Sequence, residues 1–357
     1  MKILLVTESW ASGDGPFENL YSFYRDILTG AGHDVAVVDN KVMHLPIGGQ
    51  TVWNCPRLFR ALGWVRWNDL IVNAMLRRRT AHWRPELILV IKGENIRWRT
   101  LRWIKNNSNA LLFNWDMDNP FWPSNTSMDL LRSMPYYDCF GSLARHFIPV
   151  LSALGCPRAE YVPMFFVPER FKLERELTAD DQRRYHCDLL FIGRHTPERA
   201  DMLRPLADRD LALYGPDWER MLAPDDSLRR CLRGGFLNGP EYAKALRCCS
   251  IAINVLVTQC KGANNLRTFE ATGCGAFLLT EYSREQAEIL FRDGEEIACF
   301  RSAEELASLA THYLEAADQR ARVAYAGKRR CHAEHLLQHR LAVLLDIGQE
   351  LMAGGRR

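Results

Sequence analysis

The chain has 357 residues, a length that suits two domains. Hydrophobic residues make up 47% and charged residues 25%, and the formal net charge is +3. That is the composition of an ordinary globular protein, and the charge by itself is too small to point to nucleic acid. No apolar run approaches the roughly 20 residues a membrane span needs. The apolar start, Ile3-Leu4-Leu5-Val6, is too short for a signal peptide and runs into Glu8. Eleven cysteines are scattered without a Cys-x-x-Cys spacing, so they are expected to be reduced, mostly buried thiols of a cytoplasmic protein.

Residues 2–7 read as a buried strand, followed by a Gly-rich loop at 8–16 and a helix over 17–30. A strand over 34–39 completes a βαβ unit, whose two strands should be parallel. The loop after the first strand lacks G-x-G-x-x-G, so no dinucleotide fingerprint is present. Residues 40–84 mix Trp53, Trp64, Trp67 and Trp83 with Arg57, Arg60, Arg66 and Arg77-Arg78-Arg79. Such a mixture can stack on bases or sugars, and it can equally be an amphipathic helical pair with packed Trp and solvated Arg. Strands follow at 86–92 and 110–114, with a helix near 97–105 between them. The second of these strands runs into Trp115-Asp116-Met117-Asp118-Asn119-Pro120. Two aspartates directly after a strand lie where a general base would sit, although Asp and Asn are also ordinary turn residues. A short strand at 137–140 precedes a helix carrying His146, a candidate base or a packed ring.

Prolines 157, 163 and 168 mark a change of composition, and the connection between domains is placed there, with the linker at 166–186. A second α/β alternation then begins. The strand at 187–192 ends in Gly193-Arg194-His195-Thr196-Pro197, where Thr196 caps and Pro197 opens a helix. Gly193 lets the backbone approach a ligand, and Arg194 can reach a phosphate. A strand at 211–214 ends in Gly215, a helix starts at Gly239-Pro240-Glu241, and a strand at 251–255 leads into the loop 258–265. Three loops after three parallel strands converge on one sheet edge, as a nucleotide site needs. From residue 302 the chain reads as three helices, 303–316, 318–330 and 332–351. His332, His335 and His339 share a face of the last one, in a surface or packing role more than a metal site.

The stretch NNLRTFEATGCGAFLLTE (264–281) is the most informative. It reads as a loop, a helix ended by Gly273 and Gly275, and an apolar strand. Helical spacing turns Leu266, Phe269 and Ala271 to a core and stacks Asn264, Arg267 and Glu270 along another edge. A guanidinium at a helix N-terminus suits a diphosphate, and a neighbouring carboxylate suits ribose hydroxyls. A solvated helix face with one ion pair is the plainer alternative.

Together with FIGRHTPER (191–199), LALYGPDW (211–218), EILFRDGEEI (288–297) and HAEHLLQHR (332–340), this stretch resembles two-domain GT-B glycosyltransferases, specifically the bacterial CgeB and YkvP spore-maturation group. The first half resembles them more loosely, through ELILVIKG (86–93) and WDMDNPF (115–121). The resemblance implies an α/β protein of two Rossmann-like domains facing a cleft, with C-terminal helices. An acceptor domain would span 1–165 and a nucleotide-sugar donor domain 187–335, with a last helix at 336–357 packing back on the first. It further implies that Glu270 binds the donor ribose and that Arg267 and Arg194 meet the diphosphate. Asn264, Asn265 and Thr268 would touch the diphosphate or sugar, and backbone at Gly239–Glu241 would hold the base, with Gly193 and Gly215 completing the donor loops. No metal or other cofactor is implied, and the acceptor is open: a glycan, protein or small molecule ahead of nucleic acid.

Many retaining GT-B enzymes carry a second glutamate eight positions before the one matching Glu270. Here that position is Gly262, beside Lys261, which could supply part of the charge stabilisation. Retention or inversion therefore stays open. An inverting enzyme needs a base, for which Asp116 and Asp118 rank ahead of Asp14, Glu8 and His146. A GT-B enzyme acting on nucleic acid, a nucleotide-sugar epimerase and a non-catalytic nucleotide-sugar binder are the alternatives.

Overall fold

The computed structural model describes residues 1–7, 20–40, 46–47, 50–51 and 64–354. The loop at 8–16, with Glu8 and Asp14, and Trp53, Arg57 and Arg60 lie outside the described residues. The chain forms two compact units. Among the described residues, those up to Pro163 and those from Leu341 onward form one, and Met164–Arg340 form the other.

In the first unit, β1 (Lys2–Thr7), α1 (Leu20–Gly30) and β2 (Asp34–Asp39) form the expected βαβ unit, with Lys2 level with Asp34 and Thr7 with Asp39. A short antiparallel pair, β3 (Pro46–Ile47) and β4 (Gln50–Thr51), stands apart from the main sheet. One long helix, α2 (Trp64–Trp83), leads to β5 (Leu87–Ile91). After it come α3 (Trp98–Asn107), β6 (Leu111–Asp116), α4 (Met128–Ser133), β7 (Cys139–Ser142), α5 (Ile148–Ala153) and β8 (Ala159–Tyr161). The six strands pair in parallel in the order β2-β1-β5-β6-β7-β8. β5 and β6 are buried along their whole length, which is why they read as apolar runs. Among the described residues, Arg77 lies over Trp103, and Arg99 and Arg102 lie over Trp98.

The second unit repeats the architecture. Residues expected as a linker are built into it: a tight turn at Pro168–Phe171 and the helix α6 (Ala179–Tyr185), capped reciprocally by Thr178 and Asp181. Then follow β9 (Cys187–Ile192), α7 (Pro197–Leu203), β10 (Leu211–Tyr214), α8 (Trp218–Met221), β11 (Leu232–Gly234), α9 (Gly239–Cys248), β12 (Cys249–Asn254), α10 (Leu266–Cys274), β13 (Leu278–Glu281) and β14 (Ala298–Phe300). All six strands are parallel, in the order β11-β10-β9-β12-β13-β14. Phe191, Leu213, Ile251, Leu279 and Phe300 fill the core of this sheet. After β13 comes a single π-helical turn at Glu285–Leu290.

The late helices are α11 (Ala303–Glu315), α12 (Ala317–Glu334) and α13 (Leu337–Ala353). The break falls at His335–Leu336, later than the sequence suggests. There Phe166 makes a strand-like bridge, its N–H donating to the His335 carbonyl at 2.8 Å and its carbonyl accepting from Leu337 at 3.0 Å. The three histidines do not share one helix: His332 is exposed on α12 with its ring 5.4 Å from Phe166, His339 is half-buried on α13, and His335, at the break between them, is buried against Phe269 and Phe291, where burial lowers its pKa to about 3. Every described cysteine except Cys249 is buried. Among the described residues no helix is long and apolar enough to cross a membrane.

Candidate functional site

In the second sheet the chain moves outward from β9 through β10 to β11, then returns to β12 on the other side of β9. The connections leave β9 and β12 in opposite directions, which opens a crevice at their carboxyl ends. Gly193 follows β9 there and Val255 follows β12. α10 begins at the same edge. Its N-cap is Asn265, whose side-chain oxygen accepts from the Thr268 N–H at 3.2 Å. Arg267, half-buried on the first turn, donates its Nε–H to the Ile192 carbonyl, the last residue of β9. A Cβ on Gly193 would lie 3.1 Å from Nη2 of Arg267 and from the Phe191 ring. Glycine at 193 therefore makes room for the guanidinium.

Arg199, which the sequence reading passed over, ties the crevice together. It is 2% exposed, donates from Nε and Nη2 to the Val255 carbonyl at 3.1 and 2.9 Å, and from Nη1 to the Arg194 carbonyl at 3.0 Å. Burial, then the charge of Arg267, lowers its pKa to about 9. Two guanidinium groups thus face the end of β9, a positive potential suited to an anion. Thr196 and Pro197 do start α7, as the sequence suggests, and this start aims Arg199 inward.

The other expected donor residues divide. Glu270, one turn along α10, is 8% exposed and pairs with Arg170 at 3.2 Å. Arg194 is exposed and lies 3.5 Å from Asp217. Gly215 has φ +137, and a Cβ there would fall 2.1 Å from the Gly193 carbonyl oxygen, so the loops after β9 and β10 touch through glycine. Gly239 opens α9 at φ +47. Glu241 accepts from the Tyr185 hydroxyl at 2.9 Å and lies 3.4 Å from Arg184, bracing α6. Lys261 pairs with Glu281 at 2.9 Å, which neutralises its charge locally.

Asn264 and Thr268 correct the expectation of direct contact with a diphosphate or sugar, because both are fully buried. Asn264 precedes the helix, accepts from the Met164 N–H at 3.1 Å and donates to Glu285 at 3.3 Å. Thr268 and Asn265 join Asn254, Thr280 and Gln286 in a buried polar network under the start of α10. The network holds the first turn of α10, which also carries Arg267.

At the carboxyl edge of the first sheet, Asp116 ends β6 and is 2% exposed. Its Oδ1 accepts from the Asp118 N–H at 3.0 Å. Burial pushes its carboxyl up to about 8, adjacent Asp118 and Glu94 add to the rise, and Lys92 opposes it. At neutral pH the group is therefore mostly protonated. Asp118 is more exposed and pairs with Lys92 at 2.5 Å, which also lies 3.4 Å from Glu94. Lys92 itself follows β5 with φ +66, a left-handed conformation that side chains avoid. His146 is exposed after β7, its ring against Phe147, and burial of part of the ring lowers its pKa. Among the described residues no group of three or more His, Cys, Asp or Glu is placed to hold a metal ion.

Residues 194–346 match a family described as glycosyl transferase-like. Among solved structures the chain is similar to sucrose-phosphate synthase from Thermosynechococcus elongatus, with a TM-score of 0.67 and 12% identity over 99% of this chain and 100% of that one. It is similar to Anabaena HepE in complex with UDP, with a TM-score of 0.61 and 12% identity over 98% and 100% of the two chains. It is also similar to the trehalose 6-phosphate synthase of Burkholderia multivorans, with a TM-score of 0.63 and 13% identity over 100% and 99%. The fold is GT-B. Family match and fold together support a glycosyltransferase. A comparison with curated protein sequences finds no match.

Proposed function

We propose that the chain transfers a sugar from a nucleoside-diphosphate sugar to an acceptor hydroxyl without a bound metal, with the donor on the second unit and the acceptor on the first. The observation that carries this reading is Arg267, held on the first turn of α10 against the end of β9 at the sheet's switch point. Support comes from the family match of this unit and from Anabaena HepE, a structural neighbour whose complex contains UDP. Arg267 and Arg194 meet the diphosphate, Glu270 accepts from the ribose hydroxyls, and the backbone at 239–241 borders the base. Lys261, held by Glu281, would add to the charge stabilisation.

In the reaction the bond from the anomeric carbon to the diphosphate oxygen breaks and a bond to the acceptor oxygen forms. Asp118 takes the hydroxyl proton, because Asp116 is buried and already carries one at neutral pH. The nucleoside diphosphate leaves with its charge met by Arg267 and the N-terminus of α10. Kinship with the CgeB and YkvP group and a cytoplasmic location belong to the same proposal. The test is incubation with a panel of nucleotide sugars and candidate acceptors, followed by chromatography. Nucleoside diphosphate released together with a glycoside supports transfer, whereas an altered nucleotide sugar with no free diphosphate would replace it with epimerisation.

A further inference from the structure

Arg170 lies a hundred positions before Glu270, on the turn Pro168–Phe171, in a stretch whose composition reads as a connector. Its Nη1 meets Oε1 of Glu270 at 3.2 Å, and the two side chains are only 10% and 11% exposed. The turn is itself fixed from several sides. Phe166 stacks on Phe171 with ring centroids 5.4 Å apart and planes 12° from parallel, and Phe171 packs on Tyr242 of α9 at 5.6 Å. Gly273 of α10 has no side chain where the Phe166 ring lies, since a Cβ there would come within 2.5 Å of it. The Arg170 carbonyl stands 3.4 Å from where a Cβ on Gly239 would be. Arg170 thus sits beside Gly239 and Glu270, the positions proposed to border the base and the ribose.

A nearly buried carboxylate that must accept from ribose hydroxyls has two needs: a cation to offset its desolvation and a fixed plane. Arg170 meets both. A carboxylate accepts about four hydrogen bonds, so one guanidinium N–H on Oε1 orients the group without exhausting it. Tyr242, 8% exposed, is raised well above its usual pKa by burial and then by the Glu270 charge, so its hydroxyl stays protonated.

We propose that Arg170 is a positioning residue for the donor site, holding the Glu270 carboxylate in the orientation that selects a ribose over a sugar without hydroxyls. This rests on the donor reading above, and the experiment separates the two. UDP, GDP, CDP and ADP, each beside its 2′,3′-dideoxy form, are titrated by calorimetry into the wild-type protein, Arg170→Ala and Glu270→Gln. The wild-type protein should prefer one ribonucleotide over its dideoxy form by about tenfold or more, as expected for hydrogen bonds to a charged group. Glu270→Gln should reduce that ratio, and Arg170→Ala should reduce it by at least about threefold, as a disoriented acceptor loses part of the same interaction.

If Arg170→Ala melts earlier yet keeps the full ratio, Arg170 only braces the fold and the inference is overturned. If Glu270→Gln keeps the full ratio, the ribose role of Glu270 fails, and the inference with it. Should Arg170→Ala not fold, Arg170→Lys retains the charge but not the reach or the fork. A reduced ratio in that variant supports the proposal, and an unchanged ratio overturns it.

Discussion

The Arg199 guanidinium donates twice to one oxygen, the carbonyl of Val255, at 3.1 and 2.9 Å. Through Nη1 it also holds the Arg194 carbonyl at 3.0 Å. One buried side chain therefore fixes the two loops that flank the crevice between β9 and β12. Removing it leaves two carbonyl groups to find other partners. Arg199→Met should destabilise the protein by about 3 kcal/mol in urea unfolding, the scale of losing hydrogen bonds to a charged group. It should also weaken nucleoside-diphosphate binding, although in the structure its donors are turned to backbone.

Asp116 gives the protein a distinctive pH dependence. Its folded pKa is raised from 3.8 to about 8, so the folded state holds a proton that the unfolded chain has released. The stability this contributes is complete below the unfolded value and is lost as pH rises through about 8. The loss can reach about 1.4 kcal/mol per pH unit. Asp116→Asn removes that titration. The variant should gain on the wild-type protein steadily from about pH 4 to about pH 8 in urea midpoints. A constant difference across that range would mean that Asp116 is ionised in the fold.

Lys92 combines an ion pair to Asp118 with φ +66. Comparing Lys92→Gly with Lys92→Ala separates the two, since both variants lose the pair and only alanine keeps the steric cost. The glycine variant should be more stable by about 0.5–1 kcal/mol. Equal stabilities by thermal or urea unfolding would show that the left-handed conformation carries no cost here.

The strands and most helices could be read from the residues because both sheets are parallel and covered, which turns their central strands into apolar runs such as 87–91 and 187–192. The edge strands β8 and β11 were missed: they are three residues long and partly exposed, and β11 ends in glycine, so neither carries an apolar signal. Of the two glycines expected to end α10, Gly275 does so, at φ +88, whereas the helix runs through Gly273 to Cys274. Glycine at 273 answers to the Phe166 ring, a neighbour that spacing cannot reveal. The same holds at the site. Arg267 and Glu270 stand on α10 as helical spacing suggests, whereas Asn264 falls before the cap and turns inward to Met164. Arg170 and Arg199 depend on contacts between distant segments. Arg199 alone left a clue, an arginine three positions after a Thr-Pro helix start.

Asp118 is more exposed than Asp116 and lies beside a cation that can steady its charge. Asp118→Asn should lower transfer, or hydrolysis of the nucleotide sugar by water, by roughly a hundredfold, the usual contribution of a general base. The nucleoside-diphosphate affinity should stay within about twofold, because the residues proposed to bind the donor are on the other sheet. A large loss of donor affinity with turnover preserved would move Asp118 out of the acceptor side.

In the proposed function, the crevice at β9 and β12 binds a nucleoside diphosphate through Arg267. The most direct measurement is the thermal midpoint of the protein with UDP, GDP, CDP, ADP and dTDP, in the wild-type chain and in Arg267→Ala. A ligand that binds only the folded state raises the midpoint by mass action. One nucleotide should raise the wild-type midpoint, and the shift should disappear in a folded Arg267→Ala. A shift of the same size in that variant, or no shift from any of the five in the wild-type protein, would contradict it.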